Sequence, residues 1–223
     1  MNVLITGANR GIGLGFVRHY LNEGASVWAA YRQDRGGLAD IKNPQLHTLC
    51  WDVSQAAPAQ GDLPDSIDIL INNAGIYGPK KSAGQGLQTV TADVMHEVFD
   101  IDCLGALRVV QYCLPALKAG RATIANISSK MGSSADNASG GCYAYRAAKA
   151  ALVIVSRSMA IDLAPNGIRV ITLHPGWVRT DMTDHSGLID VEQSVAGLTS
   201  VIAGVDRYEA GAFVAFDGKV IPY

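Results

Sequence analysis

One stretch near the start of the chain decides its fold: Val3-Leu4-Ile5-Thr6-Gly7-Ala8-Asn9-Arg10-Gly11-Ile12-Gly13. Aliphatic residues typical of a buried strand come first, glycines follow at once, and a helical pattern continues from there. Glycines in that place permit a tight turn and let the backbone approach a pyrophosphate, whose charge then lies at the helix N-terminus. Glycine turns between a strand and a helix also serve packing alone, but the order of elements favours a dinucleotide site.

Short segments rich in Val and Ile alternate with helical patterns along the whole chain. The predicted strands cover residues 3–5, 27–30, 46–50, 67–71, 122–127, 168–173 and 212–216, and the predicted helices cover residues 12–22, 92–117, 143–163 and 191–205. This alternation predicts an α/β fold class, with a doubly wound, mostly parallel seven-stranded sheet and helices on both faces. Because no repeat, linker or charge block divides residues 1–223, we expect a single Rossmann domain that binds its ligands at the carboxyl ends of the strands.

Composition limits the classes of partner. The 18 Lys and Arg residues nearly balance the 20 Asp and Glu residues, and no basic run marks a surface for nucleic acid. No apolar run approaches the ~18 residues of a membrane span, and a strand-like segment follows the first two residues, where a signal peptide would begin. The four cysteines lack a Cys-x-x-Cys pair, so we expect reduced thiols, no metal site and a cytoplasmic location.

The end of the second predicted strand should select the dinucleotide. A carboxylate there binds the ribose 2′-hydroxyl of NAD, whereas a guanidinium accepts the 2′-phosphate of NADP. Arg32 stands at that position and Arg10 lies in the glycine loop, which favours NADP(H) over NAD(H); alternatively, both are solvated loop charges. Asp52 is a candidate acceptor for the adenine amino group or a helix N-cap. The small residues of Asn72-Asn73-Ala74-Gly75 allow close backbone approach to a cofactor.

A second set of chemically capable residues lies near the middle of the chain. Tyr145 and Lys149 are four residues apart, so a helix presents both on one face. A neighbouring ammonium favours the phenolate and lowers the tyrosine pKa from about 10, which suits proton transfer; in isolation such a pair is usually an exposed helix contact. Upstream, strand alternation turns Ser128 and Ser129 in opposite directions. His174 precedes a turn, and we interpret it as a packed or capping residue.

Taken together, these motifs resemble the short-chain dehydrogenase/reductase superfamily over essentially the whole chain. The shared motifs are TGANRGIG at residues 6–13, NNAG at 72–75, NISS at 126–129, YRAAK at 145–149 and HPGWVRT at 174–180. The loop before YRAAK and the C-terminal GAFVAFDGKVIPY are similar to the C-factor and sniffer-type carbonyl reductase group.

The resemblance implies a role for each matching residue. Tyr145 would protonate the substrate carbonyl oxygen, Lys149 would depress the tyrosine pKa and hold the nicotinamide ribose, and Ser129 would bind the substrate oxygen. The dinucleotide itself would supply the hydride. The implied cofactor-binding residues are Gly7, Asn9, Arg10, Gly11, Ile12, Gly13, Arg32, Asp52, Val53, Asn73, Ala74, Gly75, Tyr145, Lys149, Pro175, Gly176, Val178 and Thr180.

Two departures from the family pattern bear on the chemistry. Asp102 stands where the family usually has an asparagine whose backbone carbonyl holds a proton-relay water near Lys149. The carbonyl survives this change, but the carboxylate can pair with Lys149 and alter the pH profile, so Asp102 joins the catalytic candidates. The spacing from Ser129 to Tyr145 is longer than usual, and we expect the intervening loop 130–141 to flank the substrate.

The segment after Thr180 is short, which predicts an open substrate pocket. Its apolar candidate lining residues are Trp177, Met182, Tyr143 and Met131. We therefore expect an NADPH-dependent carbonyl reductase that acts on a small carbonyl or alcohol substrate and forms a homodimer or homotetramer through the helices beginning at residues 92 and 143. The alternative is a dinucleotide-binding signalling or redox-sensing protein of C-factor type, with incidental turnover.

Overall fold

The computed structural model describes residues 1–79 and 84–223, and in these residues seven strands form one sheet. The strands are β1 (Asn2–Ile5), β2 (Ser26–Tyr31), β3 (Leu46–Cys50), β4 (Ile69–Asn72), β5 (Thr123–Ile127), β6 (Arg169–His174) and β7 (Phe213–Ala215). Their order across the sheet is β3-β2-β1-β4-β5-β6-β7, and each neighbouring pair runs parallel. The predicted α/β class is confirmed, and the sheet is wholly rather than mostly parallel.

Helices cover both faces of this sheet because its strands are apolar on both sides. The α-helices of the described residues are α1 (Gly11–Asn22), α2 (Ala92–Phe99), α3 (Gly105–Gly120), α4 (Tyr143–Leu163) and α5 (Val191–Ala203). In β1, Val3 and Ile5 join the core under α1 and α5, whereas Leu4 joins the core under α3 and α4. The alternation of side chains along one strand thus feeds two hydrophobic cores.

The predicted helix 92–117 is interrupted in the structure. A π-helical turn, Asp100–Leu104, separates α2 from α3, and α3 continues to Gly120. At Gly105 a Cβ atom would lie 2.8 Å from Val53 Cγ2, so glycine lets α3 approach the loop after β3. The hydrophobic pattern did not reveal the turn, because a π turn displaces the helical register by only one residue. This turn carries Asp102 into the interior, where the residue is 1% exposed.

The order of the strands reverses direction between β1 and β4. From β1 the chain winds outward to β3 on one side, and from β4 it winds outward to β7 on the other side, which is the arrangement at which ligands bind in such sheets. The glycine loop follows β1, and the Asn73–Gly75 segment follows β4, which brings two sequence motifs to one edge. In the described residues, no helix has the length and apolarity needed to cross a membrane.

Candidate active site

The glycine loop and the loop after β4 are in close contact. Gly7 has a φ of +61°, and a Cβ on it would lie 2.8 Å from Ala74 Cα. A Cβ on Gly13 would overlap the Gly7 carbonyl oxygen, so glycine is required for α1 to begin so near the turn. The Asn73 amide Nδ2 donates to the carbonyl oxygens of Thr6 and Gly7, both at 3.0 Å, and ties the two loops together.

A cleft of about 940 Å³ opens beside these loops. The predicted cofactor residues that line it are Gly7, Asn9, Arg10, Gly11, Ile12, Arg32, Asp52, Val53, Asn73, Ala74, Gly75 and Thr180. The N-terminus of α1 begins at Gly11, on the cleft wall, and offers backbone N–H groups to an anion. Volume, glycine cradle and helix terminus together suit a dinucleotide. A second cavity, of about 470 Å³ between α1 and α5, contains none of the catalytic candidates.

Both predicted phosphate-binding arginines lie on the cleft wall. Arg32 is exposed, and the Arg10 guanidinium, 75% exposed, lies 3.6 Å from an Asp181 carboxylate oxygen. Ion pairs at this exposure contribute about 0–1 kcal/mol, so the contact with Asp181 leaves Arg10 available to a phosphate. The positions fit a 2′-phosphate, and the alternative of solvated loop charges stays open.

Asp52 occupies the position predicted for an adenine contact. Its Oδ1 accepts a hydrogen bond from the backbone N–H of Ser54, at 3.0 Å, in a turn that follows β3. The N-cap alternative is therefore wrong, since Asp52 is followed by a turn and not by a helix. The carboxylate still borders the cleft, and its contact with adenine stays a prediction.

The catalytic candidates converge beyond the carboxyl end of β5. Tyr145 and Lys149 share one face of α4, and the Lys149 Nζ lies 5.7 Å from the centroid of the Tyr145 ring. The ammonium donates to the Ile127 carbonyl at 3.0 Å and lies 3.2 Å from Asp102 Oδ2. Tyr145 is 8% exposed and Lys149 is 4% exposed, so this pair is not the exposed helix contact that the isolated spacing allowed.

The two neighbouring serines have different partners. The Ser128 hydroxyl donates to the Lys149 carbonyl at 2.9 Å and so braces α4. The Ser129 hydroxyl accepts from the Met131 N–H at 3.2 Å and lies beside the Tyr145 phenol, whose ionised form it favours. Strand alternation therefore separates the two hydroxyls as predicted, with Ser129 on the side of Tyr145.

The electrostatics of this cluster differ from the expectation. Burial raises the pKa of Tyr145; Lys149 and Ser129 lower it, Asp102 raises it, and the net direction is upward. Burial also raises the pKa of Asp102 despite the opposing Lys149. For Lys149, burial favours the neutral amine, but Asp102 and Tyr145 outweigh it and the pKa is raised. The effect of Lys149 on the Tyr145 pKa is downward, as predicted. It does not bring that pKa below its ordinary value, because the phenol is desolvated and Asp102 opposes the ammonium.

The end of the segment after β6 lines the cleft, and the earlier part of the segment is packed away from it. Pro175, Gly176 and Val178 do not line the cleft, whereas Thr180 does, opposite Gly11. Val178 is 3% exposed, and Gly176 has a φ of +87° with Ile189 where a side chain would be. The predicted contacts of Val178 and Thr180 with a nicotinamide amide stay predictions, as do those of Pro175 and Gly176.

His174 is a packed residue, as interpreted. Its Nδ1 accepts a hydrogen bond from the Lys130 backbone N–H at 3.2 Å. Burial, together with the Lys130 charge, lowers the pKa of His174 to about 4, so the ring is neutral at physiological pH.

Sequence reasoning missed two residues around Tyr145. Gln85 is fully buried; its Oε1 accepts from the Tyr145 N–H at 2.9 Å, and its Nε2 donates to the Tyr77 carbonyl at 2.6 Å. The Tyr77 ring lies 4.8 Å from the Tyr145 ring, and its hydroxyl lies 2.8 Å from Cys142 Sγ. A single glutamine among small residues carries no sequence signal, because only the fold brings it to the start of α4.

The predicted substrate-lining residues differ in placement. Met131 packs with Tyr145, and Met182 lines the cleft. Tyr143, at the first turn of α4, and Trp177, in the loop after β6, are exposed by 40% and 51%. All four cysteines are free thiols, and the described residues contain no group of three His, Cys, Asp or Glu side chains arranged to hold a metal ion.

Comparison with known proteins agrees with this geometry. The profile of the family described as short chain dehydrogenase matches residues 1–188. The C-signal protein of Myxococcus xanthus is 41% identical over 158 residues, which cover 70% of this chain and 93% of that protein. The NADPH-bound carbonyl reductase from chicken fatty liver superposes with a TM-score of 0.86 at 32% identity, covering 100% of this chain and 98% of that one. Carbonyl reductase Sniffer of D. melanogaster superposes with a TM-score of 0.89 at 30% identity, covering 100% and 99%.

Proposed function

Because the chain belongs to the short-chain dehydrogenase family, we propose that it reduces small aldehydes or ketones with NADPH. The observation that carries this proposal is the buried Tyr145 phenol, held beside Ser129 and Lys149 next to the dinucleotide cleft. Tyr77 joins the two regions, since it lines the cleft and its ring packs 4.8 Å from Tyr145. We infer that a substrate oxygen held in the cleft approaches this phenol, which then serves as its proton donor.

Each group of residues in the site has its own role in the proposed reaction. A bound dinucleotide would supply the hydride, held by the glycine loop, the N-terminus of α1 and the two arginines of the cleft wall. Tyr145 gives its proton to the substrate oxygen, and the Ser129 hydroxyl donates a hydrogen bond to the same oxygen while negative charge develops there. Burial of this group excludes water, which strengthens both interactions.

NADP(H) is the dinucleotide that this proposal requires. Arg10 and Arg32 line the cleft with exposed guanidinium groups, which suit a 2′-phosphate. The NADPH named in the chicken carbonyl reductase structure, which superposes over the whole of this chain, supports the same choice.

NADPH oxidation against a panel of aldehydes, ketones and quinones tests the activity. We expect turnover with several of them, and we expect Tyr145→Phe to lower kcat about 100-fold or more, because general acid catalysis contributes that much. Tyr112→Phe, on the exposed face of α3, is the matched control and should keep parental kcat. Tight NADPH binding with no turnover on the whole panel would refute the reductase proposal.

A second candidate function is a dinucleotide-binding signalling or redox-sensing protein with incidental turnover. The specific observation in its favour is the 41% identity to the C-signal protein of Myxococcus xanthus. Retention of the buried Ser129, Tyr145 and Lys149 cluster favours the enzyme instead. NADPH binding without turnover on the panel above would select the signalling candidate.

The remaining proposals concern location and assembly. Four free thiols fit a cytoplasmic location, where thiols stay reduced. Ile154 and Ile161 are exposed one heptad apart on α4, and this apolar stripe fits a homodimer or homotetramer built on the α3 and α4 face. Light scattering on the purified chain measures the assembly directly.

A further inference from the structure

Asp102 and Lys149 form a buried ion pair inside the site. The Asp102 side chain is fully buried, the Lys149 side chain is 6% exposed, and their Oδ2 and Nζ atoms are 3.2 Å apart. The other carboxylate oxygen, Oδ1, accepts from the Ile76 backbone N–H at 2.7 Å, which fixes the orientation of the group. Among the described residues no donor is aligned for a hydrogen bond to Oδ2, so the ammonium is its main partner.

The charges that act on Tyr145 come from a small set of groups. Lys149 lies on its own helix, and Asp102 lies opposite on the π-helical turn, together with the Cys103 thiol. Burial raises the Cys103 pKa to about 11, so this thiol is neutral at physiological pH. The Tyr77 hydroxyl faces the site from the loop after β4, and burial raises its pKa as well.

The remaining charged groups near these elements engage other partners. Arg146 follows Tyr145 on α4 and donates to the backbone carbonyls of Gly141 and Met131. Asp100 lies on the π-helical turn and pairs with Arg108 in a partly exposed contact. The charged groups of this buried cluster are therefore Lys149 and Asp102, and they have opposite signs. Burial raises the Asp102 pKa, and the ammonium 3.2 Å away favours the carboxylate form.

We propose that Asp102 is a positioning residue that pairs with Lys149 within the buried site, keeps Tyr145 a proton donor, and so extends carbonyl reduction to higher pH. This inference rests on the proposed function. The asparagine usual in the family is neutral and would leave the ammonium unopposed. A carboxylate 3.2 Å from the same ammonium offsets part of its attraction for a phenolate, because two charges of opposite sign then act on the ring from neighbouring positions.

The proton balance gives the direction of the effect. In reduction the Tyr145 O–H bond breaks and the alcohol O–H bond forms, so the phenol must be protonated beforehand. In oxidation the phenolate takes the alcohol proton, so the phenol must be ionised beforehand. Asp102 and Lys149 keep their protonation states in both directions. The raised pKa of Tyr145, caused by burial and Asp102, therefore extends reduction to higher pH and confines oxidation to alkaline pH.

Titration of Tyr145 in the cofactor-free protein tests the inference without relying on activity. The ultraviolet difference between each protein and its Tyr145→Phe counterpart isolates this one phenol. We expect Asp102→Asn to move the Tyr145 titration about one pH unit or more toward lower pH. Asp100→Asn, the same substitution on the same turn but facing Arg108, should leave the titration unchanged. An unchanged titration in folded Asp102→Asn would overturn the proposal.

The pH dependence of turnover provides the second readout. In Asp102→Asn the pH above which kcat/KM for carbonyl reduction falls should move about one unit lower, and the pH above which kcat/KM for alcohol oxidation levels off should move with it, because both limits follow the ionisation of Tyr145. A pH profile that stays at the parental position would contradict the proposal. If Asp102→Asn does not fold, Asp102→Ser is a smaller neutral variant for both measurements. Absence of any turnover in the parent refutes the proposed function alone, since the titration still decides the role of Asp102.

Discussion

At the scale of single residues, we expect the choice of dinucleotide to depend on the Arg32 guanidinium. The group is exposed on the cleft wall after β2, where a 2′-phosphate would lie. A hydrogen bond to a charged group contributes about 1.5–3 kcal/mol, so we expect Arg32→Ala to weaken NADPH binding roughly 10- to 100-fold and NADH binding much less. Fluorescence titration of both dinucleotides measures the two constants.

Arg35→Ala is the matched control for this change. The Arg35 guanidinium donates to the Thr48 hydroxyl at 2.9 Å and does not line the cleft. The Arg35→Ala substitution should therefore leave the preference for NADPH over NADH at the parental value. Equal losses for NADPH and NADH in Arg32→Ala would contradict the NADP assignment and favour the interpretation of Arg32 as a solvated loop charge.

At the scale of elements, the long loop between Ser129 and α4 is braced rather than loose. Arg146, in the first turn of α4, donates to the Met131 carbonyl at 3.0 Å, the Gly141 carbonyl at 3.2 Å and the Ser139 hydroxyl at 2.9 Å. Loss of the guanidinium and its three hydrogen bonds should free the loop from the helix. We therefore expect Arg146→Gln to speed amide hydrogen exchange in residues 131–141 about tenfold or more. Hydrogen exchange with mass spectrometry resolves the segment.

Arg157→Gln supplies the comparison on the same helix. Arg157 hydrogen-bonds the Ala210 carbonyl, which belongs to a different part of the chain, and its loss should leave exchange in residues 131–141 unchanged. Parental exchange in Arg146→Gln would mean that the C-terminal contact, in which the Ser133 hydroxyl donates to the Pro222 carbonyl at 2.6 Å, holds the loop by itself.

At the scale of the whole molecule, His174 links folding stability to pH. Its pKa falls from 6.5 to about 4 on folding, because burial and Lys130 disfavour the charged ring. The unfolded chain therefore binds more protons than the folded chain between these pH values. The folding stability that the neutral His174 ring contributes is complete above pH 6.5 and is lost as the pH falls toward 4. We expect about 3 kcal/mol of unfolding free energy to disappear over this window.

Urea unfolding of the parent and of His174→Gln across that pH range measures the effect. The variant has no imidazole to protonate, so its stability should depend less steeply on pH than the parent's. His96→Gln changes an exposed histidine on α2 and should keep the parental slope. Equal slopes in the parent and in His174→Gln would show that other groups carry the dependence.

The sequence by itself determined the features that depend on neighbours along the chain. The strand, glycine and helix order of residues 3–13 specifies the tight turn between β1 and α1, because backbone freedom and side-chain period are local properties. The four-residue spacing of Tyr145 and Lys149 places both on one face of α4 for the same reason. Alternating apolar patterns were enough to predict the α/β class and the positions of most of the strands.

Only the tertiary structure decided the features that depend on burial and on partners distant in sequence. Gln85 supports Tyr145 across a loop, and the π-helical turn brings Asp102 against Lys149. The upward shift of the Tyr145 pKa follows from burial and from the nearby Asp102 carboxylate, because a pKa responds to desolvation and to nearby charge whatever the separation along the chain. The spacing of Tyr145 and Lys149 therefore specified an acid and its neighbour, and the packing around them determined the strength of that acid.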